Sequence, residues 1–509
     1  MLEDLLGYAS RGIIPAICAY LFLFIPLRFV YRVYFDPLSK IPGPKLRLIS
    51  DSATRLHSVI TGGYGRFVFD LREMHEQYGP IVRVFSNEVH INDIDTYNQI
   101  YKVGTKFPKT AFYYSYPAAE YSTFAMLDFK AAQIRRAAIL PYFSKQAVRK
   151  VEGLLQAKID LFLDRISEMN TINLSRGFRC LICDIITSYS YEKCFEALRD
   201  PNFAPGWLLA FEELVGANKI CFTFPGVFAW MTWVFETLLS RATVKKLSPE
   251  MASMMEFQDH CNTAVLEQQK RWLAGERNIV TIFEQLFQDD PKKGRKAATK
   301  DELMDEAFLV IAAGMDTSAH ALTVAVYYLV KYPEIQAKLL EELKTVLPNP
   351  RSEVKEEALE QLPFLNAVIK ETFRFSHGVV NPMARDVPST GADILGYHLP
   401  PATVTLSSHY IYHMNPTVFP KPFTWNPDRW LAQDVRELEN YLMPFSRGAR
   451  ICVGVNLAWA ELRLTLARLI RRYDISYTDD FTDANMDWVS WFLPITQGML
   501  TVTMKERTV

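Results

Sequence analysis

Amphipathic helices account for most of the pattern of apolar and polar residues along this chain. Apolar positions recur at helical spacing from about Glu73 to Phe375, and again from Val455 to Arg472. Short apolar runs rich in β-branched and aromatic residues predict a few strands, at 81–85, 89–91, 403–406 and 500–504. The pattern therefore predicts a helix-rich protein with little sheet.

The first apolar stretch, residues 13–33, is marginally long enough for a membrane-spanning helix. No small-residue cleavage site is evident, which favours a retained anchor over a removed signal peptide. Basic residues accumulate towards and beyond its end: Arg28, Arg32, Lys40, Lys45 and Arg47. The positive-inside rule then predicts a short luminal N-terminus (1–12), a transmembrane anchor (13–33), a proline-rich hinge (34–48) and a cytosolic catalytic domain (49–509).

Two later apolar stretches also resemble membrane segments. Residues 220–235 are short and rich in tryptophan, so partial insertion into a bilayer surface is more plausible than crossing. Residues 307–330 contain Asp316 and His320, which would be costly in lipid. We therefore predict that 307–330 is the central helix of a large core, apolar on all sides because it is buried.

Composition excludes some classes of protein. The chain has 509 residues, 49% of them hydrophobic, and a formal net charge of −1, so it lacks the basic footprint of a nucleic-acid-binding protein. Its seven cysteines are widely scattered, which fits a reducing compartment better than a disulfide framework. Cys180 and Cys183 have C-x-x-C spacing, but no second pair is near, and a buried helix is favoured over a metal or redox site.

The most informative segment is 445–454, with the form F-x-x-G-x-R-x-C-x-G. Its cysteine, Cys452, comes just before a predicted helix, where the helix dipole and backbone N–H groups favour a thiolate. Gly448 and Gly454 allow a tight path with positive φ and close approach to a flat macrocycle. The segment therefore suits a thiolate ligand for a metal, most plausibly the iron of a haem.

Two other residues of the segment fit the same interpretation. Phe445 can cover the sulfur and exclude water, and Arg450 can pair with a haem propionate. The alternative is a buried structural cysteine, which is the usual state of a lone free cysteine. Five fixed positions within ten residues favour the ligand.

This segment resembles the haem-binding signature of the cytochromes P-450, the haem-thiolate monooxygenases, and the resemblance extends from about Pro37 to the C-terminus. It implies a mainly α fold with a small β region and haem (iron protoporphyrin IX) between the central helix and the cysteine loop. Thiolate donation to haem iron favours O–O cleavage. Residues 78–84 and 141–144 look like those of filamentous-fungal, trichodiene-oxygenase-like enzymes, which implies oxidation of a terpenoid or polyketide-like intermediate.

The central helix contains Ala-Gly-Met-Asp-Thr-Ser at 313–318, which matches the family's oxygen-binding motif. Gly314 and the hydroxyls of Thr317 and Ser318 can loosen a helical hydrogen bond and bend the helix beside the iron. Thr317 can hold a hydrogen bond to dioxygen, and Asp316 can relay protons from solvent. The alternative is a buried helix in which the aspartate is satisfied and the threonine bonds its own backbone. His320 fits a core or channel position better than a second iron ligand.

Glu371 and Arg374 form an E-x-x-R pair, and i,i+3 spacing puts both charges on one helix face. The pair resembles that of the family's K helix, which implies Arg429 as a third partner. Such a Glu–Arg–Arg cluster would fix the cysteine loop against the core and is structural, so loss of one member should be severe.

The family's W/H-x-x-x-R motif for propionate binding is incomplete here. Ala132 stands at its first position, so only Arg136 carries over. Arg385 matches a strand arginine that also pairs with a propionate. The alternative for both is an ordinary surface arginine.

The resemblance also implies partners. A membrane anchor with a cytosolic body implies the endoplasmic reticulum membrane and an NADPH-dependent reductase there, which would dock on a basic face of Lys145, Arg149, Lys150 and Arg447. Apolar and aromatic wall segments imply O2-dependent oxidation of a lipophilic small molecule. Two rivals remain: a same-fold dehydratase or rearrangement enzyme, against which the intact Asp316–Thr317 pair argues, and a non-catalytic haem sensor.

Overall fold

A computed structural model of the chain describes residues 23–60, 63–114, 119–276 and 281–508. Its described part is mainly helical. The α-helices are, in chain order, α1 (Ile25–Tyr34), α2 (Asp51–Ile60), α3 (Phe67–Tyr78), α4 (Ile94–Tyr101), α5 (Ala111–Tyr114), α6 (Phe129–Ile139), α7 (Lys145–Lys150), α8 (Glu152–Ser167), α9 (Leu174–Tyr191), α10 (Gly206–Thr223), α11 (Pro225–Trp233), α12 (Arg241–Leu247), α13 (Pro249–Leu273), α14 (Lys300–Lys331), α15 (Pro333–Lys344), α16 (Glu356–Glu360), α17 (Pro363–Ser376), α18 (His409–His413), α19 (Arg436–Tyr441) and α20 (Val455–Arg472).

The strands form small sheets. They are β1 (Ile81–Phe85), β2 (Glu88–Ile91), β3 (Ile172–Asn173), β4 (Met383–Asp386), β5 (Ala392–Ile394), β6 (Tyr397–Leu399), β7 (Val404–Ser407), β8 (Tyr473–Tyr477), β9 (Trp488–Trp491), β10 (Leu493–Thr496) and β11 (Thr501–Glu506). The sheet orders are β1-β2-β7-β4, β3-β11-β8, β9-β10 and β5-β6. The predicted helix-rich class with a small β region is confirmed, and the four predicted strands correspond to β1, β2, β7 and β11.

The chain divides into two compact units. Unit 1 comprises Met1–Thr110 and Pro382–Ile411, and unit 2 comprises Ala111–Asn381 and Tyr412–Val509. Unit 1 contains the four-stranded sheet. Unit 2 contains the large helical core, the cysteine loop and the helix with the oxygen motif.

Within unit 1, the predicted hinge packs onto the sheet. Leu38 and Ile41 are buried, and Asp36 forms an ion pair with Arg83 of β1 at 3.1 Å. A Cβ on Gly43 would lie 2.2 Å from the Arg83 carbonyl oxygen, so only glycine allows this approach. Arg32, at the end of the predicted anchor, is buried and donates to the Leu48 carbonyl.

The predicted luminal segment 1–12 and residues 13–22 of the anchor lie outside the described residues. The described end of the anchor is helical from Ile25, and several of its apolar side chains are exposed: Leu23, Phe24, Leu27, Val30 and Tyr31.

Within unit 2, α14 is the central core helix. It begins with a capping box, in which Thr299 and Glu302 satisfy each other's backbone N–H groups. Among the described residues, α14 is the one helix long and apolar enough to cross a membrane, but 56% of its apolar window is buried. Its apolar residues pack against those of α9, α17 and α20, as expected for a helix inside a soluble core.

Candidate functional site

The cysteine loop reverses the chain between Phe445 and α20. The Cys452 N–H donates to the Phe445 carbonyl at 2.9 Å, which closes the loop at its base. Gly448 has φ of +69°, as predicted. Ser446 also has a positive φ, of +60°, which the sequence did not indicate because this residue is not a glycine. The prediction of positive φ at Gly454 is wrong, since its φ is −82°. Gly454 instead serves as the N-cap residue of α20.

Cys452 lies immediately before that helix start, as predicted. Its side chain is exposed, yet enough protein surrounds it that desolvation raises the pKa of its thiol. The Gly454 N–H and the positive charge of Arg136 oppose this and lower the pKa. The Gly454 N–H and Arg136 therefore favour the thiolate, although the effect of burial is larger, and the exposed side chain can reach a ligand.

Aromatic packing supports the loop from behind. The Phe445 ring meets Phe373 of α17 edge-on at 5.0 Å, and Phe373 meets Trp459 of α20 at 5.1 Å. Edge-to-face contacts at such distances are favourable beyond the area that they bury. The ring of Phe445 thus joins the loop to α17, and Phe373 continues the aromatic packing to α20.

The Glu–Arg–Arg cluster forms as predicted and is fully satisfied. Glu371 is completely buried and binds Arg374 through two bonds, at 2.7 and 2.9 Å, and Arg429 at 3.1 Å. The Trp430 indole and the Asn426 N–H, both unpredicted, also donate to this carboxylate at 2.9 Å. A buried carboxylate with five donors is held in one orientation.

The oxygen motif lies on α14, which is assigned as α-helix throughout Lys300–Lys331. A Cβ on Gly314 would approach Ile186 of α9 at 3.4 Å, so this glycine allows close helix packing. The Thr317 hydroxyl donates to the Ala313 carbonyl at 2.8 Å, which is the bond to its own backbone that the alternative interpretation predicts.

Asp316 has a partner that the sequence did not predict. Its carboxylate pairs with Arg179 of α9 at 3.0 Å, and Arg179 also binds Glu212 of α10 at 3.1 Å. Arg176 binds Glu212 as well, at 2.7 Å. Asp316 therefore belongs to a chain of alternating charges on α14, α9 and α10.

Glu461 is another residue of the site that was not predicted from the sequence. This completely buried carboxyl of α20 accepts a hydrogen bond from Ser318 of α14 at 2.7 Å, and desolvation raises its pKa to about 8. Its spacing from Leu457 and Leu464, on an otherwise apolar helix face, is a signal that could have identified it.

The two predicted propionate arginines of unit 2 both lie at the cysteine loop. Arg136 donates to the Ile451 carbonyl at 2.5 Å. Arg450 donates to the carbonyls of Thr123 and Met126, at 3.4 and 3.0 Å. In unit 1, Arg385 lies on β4 with its guanidinium 4.9 Å from the Tyr101 ring centre.

The remaining candidates are accounted for by packing and ion pairs. Cys180 and Cys183 are buried, desolvation raises their pKa, and the described residues contain no cluster of metal-binding side chains.

On the predicted docking face, Lys145 and Arg149 pair with Glu360, at 2.5 and 3.2 Å. His320 is desolvated, which lowers its pKa to about 4, so it is neutral as expected of a core residue.

Comparison with known proteins identifies the class. The family profile for cytochrome P450 matches residues 56–502, and the chain belongs to this family of haem-dependent monooxygenases. It is 33% identical to a cytochrome P450 monooxygenase of Aspergillus parasiticus, over 89% of each chain. It is 30% identical to another of Penicillium terrestre, over 94% of this chain and 95% of the relative. It is 31% identical to a tryptophan 6-hydroxylase of Fusarium equiseti, over 88% of each chain.

The residues present fit the family's cofactor. Haem needs a thiolate that reaches its iron and positive charge for its propionates. Cys452 offers an exposed side chain with a supporting N–H group. Arg450 belongs to the same loop, and Arg136 of α6 donates to the loop's Ile451 carbonyl.

Glu371→Gln should destabilise the haem-loaded protein by roughly 3–5 kcal/mol, because two buried arginines lose their shared charge. Thermal unfolding and haem content measure this. Glu439→Gln is the matched control, since its pair with Lys370 is partly exposed and worth at most about 1 kcal/mol. Equal losses in the two variants would contradict the cluster's structural role.

Glu461→Gln should change how stability depends on pH. The folded protein keeps the Glu461 proton up to about pH 8, whereas the unfolded chain releases it near its usual pKa. Wild-type stability should therefore fall as pH rises between these values, by up to roughly 1.4 kcal/mol per unit. The variant should match wild type near pH 5 and unfold at higher temperature at pH 8. Glu437→Gln, on the exposed face of α19, is the control, and a pH-independent difference would contradict the prediction.

Proposed function

We propose that this protein is a membrane-anchored monooxygenase in which Cys452 is the axial thiolate ligand of haem. It would use O2 and NADPH-derived electrons to hydroxylate or epoxidise a lipophilic small molecule. The observation that carries the proposal is the exposed Cys452 sulfur, which receives the Gly454 N–H at the start of α20 and lies near Arg136. When bound, a thiolate-ligated haem supplies O2 activation.

The residues of the loop would hold the cofactor. Phe445 would shield the sulfur, Gly448 gives the chain its tight path, and Gly454 lets the backbone come close to the sulfur. Arg136 and Arg450 would bind propionates, with Arg385 of unit 1 as a third candidate. Ala132 is completely buried and has no polar group, which supports a reduced propionate set.

Asp316 and Thr317 would manage protons beside the bound oxygen. Asp316, held in place by its ion pair with Arg179, would relay protons from solvent. Thr317 would hold such a proton at its hydroxyl, which in this structure donates to the Ala313 carbonyl. This arrangement supports a monooxygenase over the dehydratase or rearrangement rival, because those reactions need no such proton delivery. A non-catalytic haem sensor would likewise have no need of the Asp316–Thr317 pair.

The lining expected for the substrate is aromatic. Phe124 lies 5.4 Å from Tyr114 and 5.9 Å from Phe492, and Phe211 and Phe308 stack at 6.3 Å. These side chains support a lipophilic substrate. The fungal relatives support a role in secondary metabolism, for which we propose a terpenoid or polyketide-like substrate.

Exposed apolar residues support a position at the endoplasmic reticulum membrane. Trp230 and Trp233 of α11 are 63% and 51% exposed, which suits the bilayer interface, and Leu27 of α1 is 61% exposed. A single N-terminal anchor would leave the catalytic domain in the cytosol. Its electrons would come from NADPH–cytochrome P-450 reductase, docked near Lys150 and Arg447.

Cys452→Ala should abolish the red-shifted Soret band of the reduced, CO-bound protein, because that band reports a thiolate ligand. Activity should fall at least roughly a hundredfold, as the oxygen chemistry depends on this ligand. Cys261→Ala, which changes a buried cysteine of α13, is the control and should keep the band. An unchanged spectrum in Cys452→Ala would refute the ligand assignment.

Thr317→Ala should uncouple turnover, releasing peroxide and lowering the product formed per NADPH by roughly tenfold or more, because proton delivery is misdirected. Product, peroxide and NADPH are measured together with reconstituted reductase. Thr323→Ala is the matched control, since its hydroxyl makes the same back-bond on the same helix, to Ala319 at 2.9 Å, at a fully buried position. Unchanged coupling in Thr317→Ala would count against its role.

A further inference from the structure

Two stacked histidines are buried near the start of the cysteine loop, and no step of the proposed reaction uses them. His377 and His413 are each at most 1% exposed, and their rings lie 5.5 Å apart at 25°. Their Nδ1 atoms are 3.3 Å apart. Burying imidazoles is unfavourable unless their nitrogens are hydrogen-bonded, so this pair should have a specific use.

His413 is hydrogen-bonded to two other parts of unit 2, the Glu371 cluster and the start of the cysteine loop. Its carbonyl accepts a hydrogen bond from Arg374 Nη1 at 3.0 Å, which ties it to the Glu371 cluster. Its Nε2 accepts the Met443 N–H at 3.0 Å. Since Nε2 is the acceptor, the neutral ring carries its proton on Nδ1, where His377 Nδ1 can accept it.

Met443 is the residue from which the cysteine loop departs. It is buried, and its carbonyl accepts the Ser446 N–H at 3.0 Å, which sets the turn with positive φ. The next residue, Pro444, has its carbonyl 2.4 Å from where a Cβ on Gly378 would lie. The start of the loop is thus fixed between His413 and the glycine that follows His377.

We infer that His413 is a positioning residue for Cys452: its Nε2 acceptor fixes the Met443 N–H, and thereby connects the Glu371–Arg374 cluster to the start of the ligand loop. The connection continues through Phe445, whose carbonyl receives the Cys452 N–H. The inference rests on Cys452 as the haem ligand. Without the acceptor, the buried Met443 N–H would be unsatisfied, and the loop would shift to find a partner.

The test compares substitutions that keep or remove the acceptor. His413→Gln can present an amide oxygen close to the Nε2 position, whereas His413→Phe keeps the ring but offers no acceptor. The readout is the rate at which the reduced, CO-bound protein loses the Soret band of a thiolate-ligated haem. Loss should be roughly tenfold faster in His413→Phe than in wild type, and close to wild type in His413→Gln.

A matched control separates positioning from general stability. His90 of β2 is also completely buried and pairs with a second imidazole, His75, at 2.6 Å. His90→Phe should lower the unfolding temperature without shortening the lifetime of the thiolate band. If His413→Phe fails to take up haem, His413→Asn replaces it, because its shorter side chain cannot reach the Met443 N–H.

Three results would overturn the inference. They are a wild-type lifetime in the variant that lacks the acceptor, an equally short lifetime in His413→Gln, or an equally short lifetime in His90→Phe. A wild-type protein without the thiolate band would instead refute Cys452 as the ligand, and with it the basis of this inference.

Discussion

One buried carboxylate, that of Glu371, fixes the irregular backbone of unit 2 that precedes the cysteine loop. Glu371 has no exposed surface and is satisfied by Arg374, Arg429, the Trp430 indole and the Asn426 N–H. Arg374 also donates to two backbone carbonyls, those of His413 at 3.0 Å and Pro422 at 2.6 Å. Because a buried charge requires every partner, the cluster fixes irregular backbone that apolar packing alone would leave free to shift.

A second constraint acts from the opposite end of the loop. Ser318 of α14 is bonded to the buried Glu461 of α20, the helix that begins just after Cys452. The residue before Ser318 is Thr317. This hydrogen bond therefore links the helix that carries the oxygen motif to the helix that follows Cys452, at the cost of keeping a carboxyl protonated.

Patterns among neighbouring residues predicted the parts of the site that are built from a single stretch of chain. The Cys452 loop, the position of α20 and the Glu371–Arg374 spacing follow from turn residues and helical periodicity. Partners from distant segments were not predictable in this way: Arg179 lies 137 residues before Asp316, and Ser318 lies 143 residues before Glu461. The expected positive φ at Gly454 failed because an N-cap residue needs no left-handed backbone.

The hydrogen bonds that hold the cysteine loop matter because of the environment of the Cys452 sulfur. Desolvation raises the pKa of the Cys452 thiol, and the groups that oppose it are one N–H, from Gly454, and the charge of Arg136. The effect of such a donor falls steeply with distance and angle, so a loop free to drift would lose the two groups that lower the pKa of the Cys452 thiol. Apolar contacts such as that of Phe445 with Phe373 tolerate small displacements, whereas buried hydrogen bonds do not. A loop whose backbone must stay in position around Cys452 is therefore better held by buried polar groups, even though each of them lowers the stability available from packing.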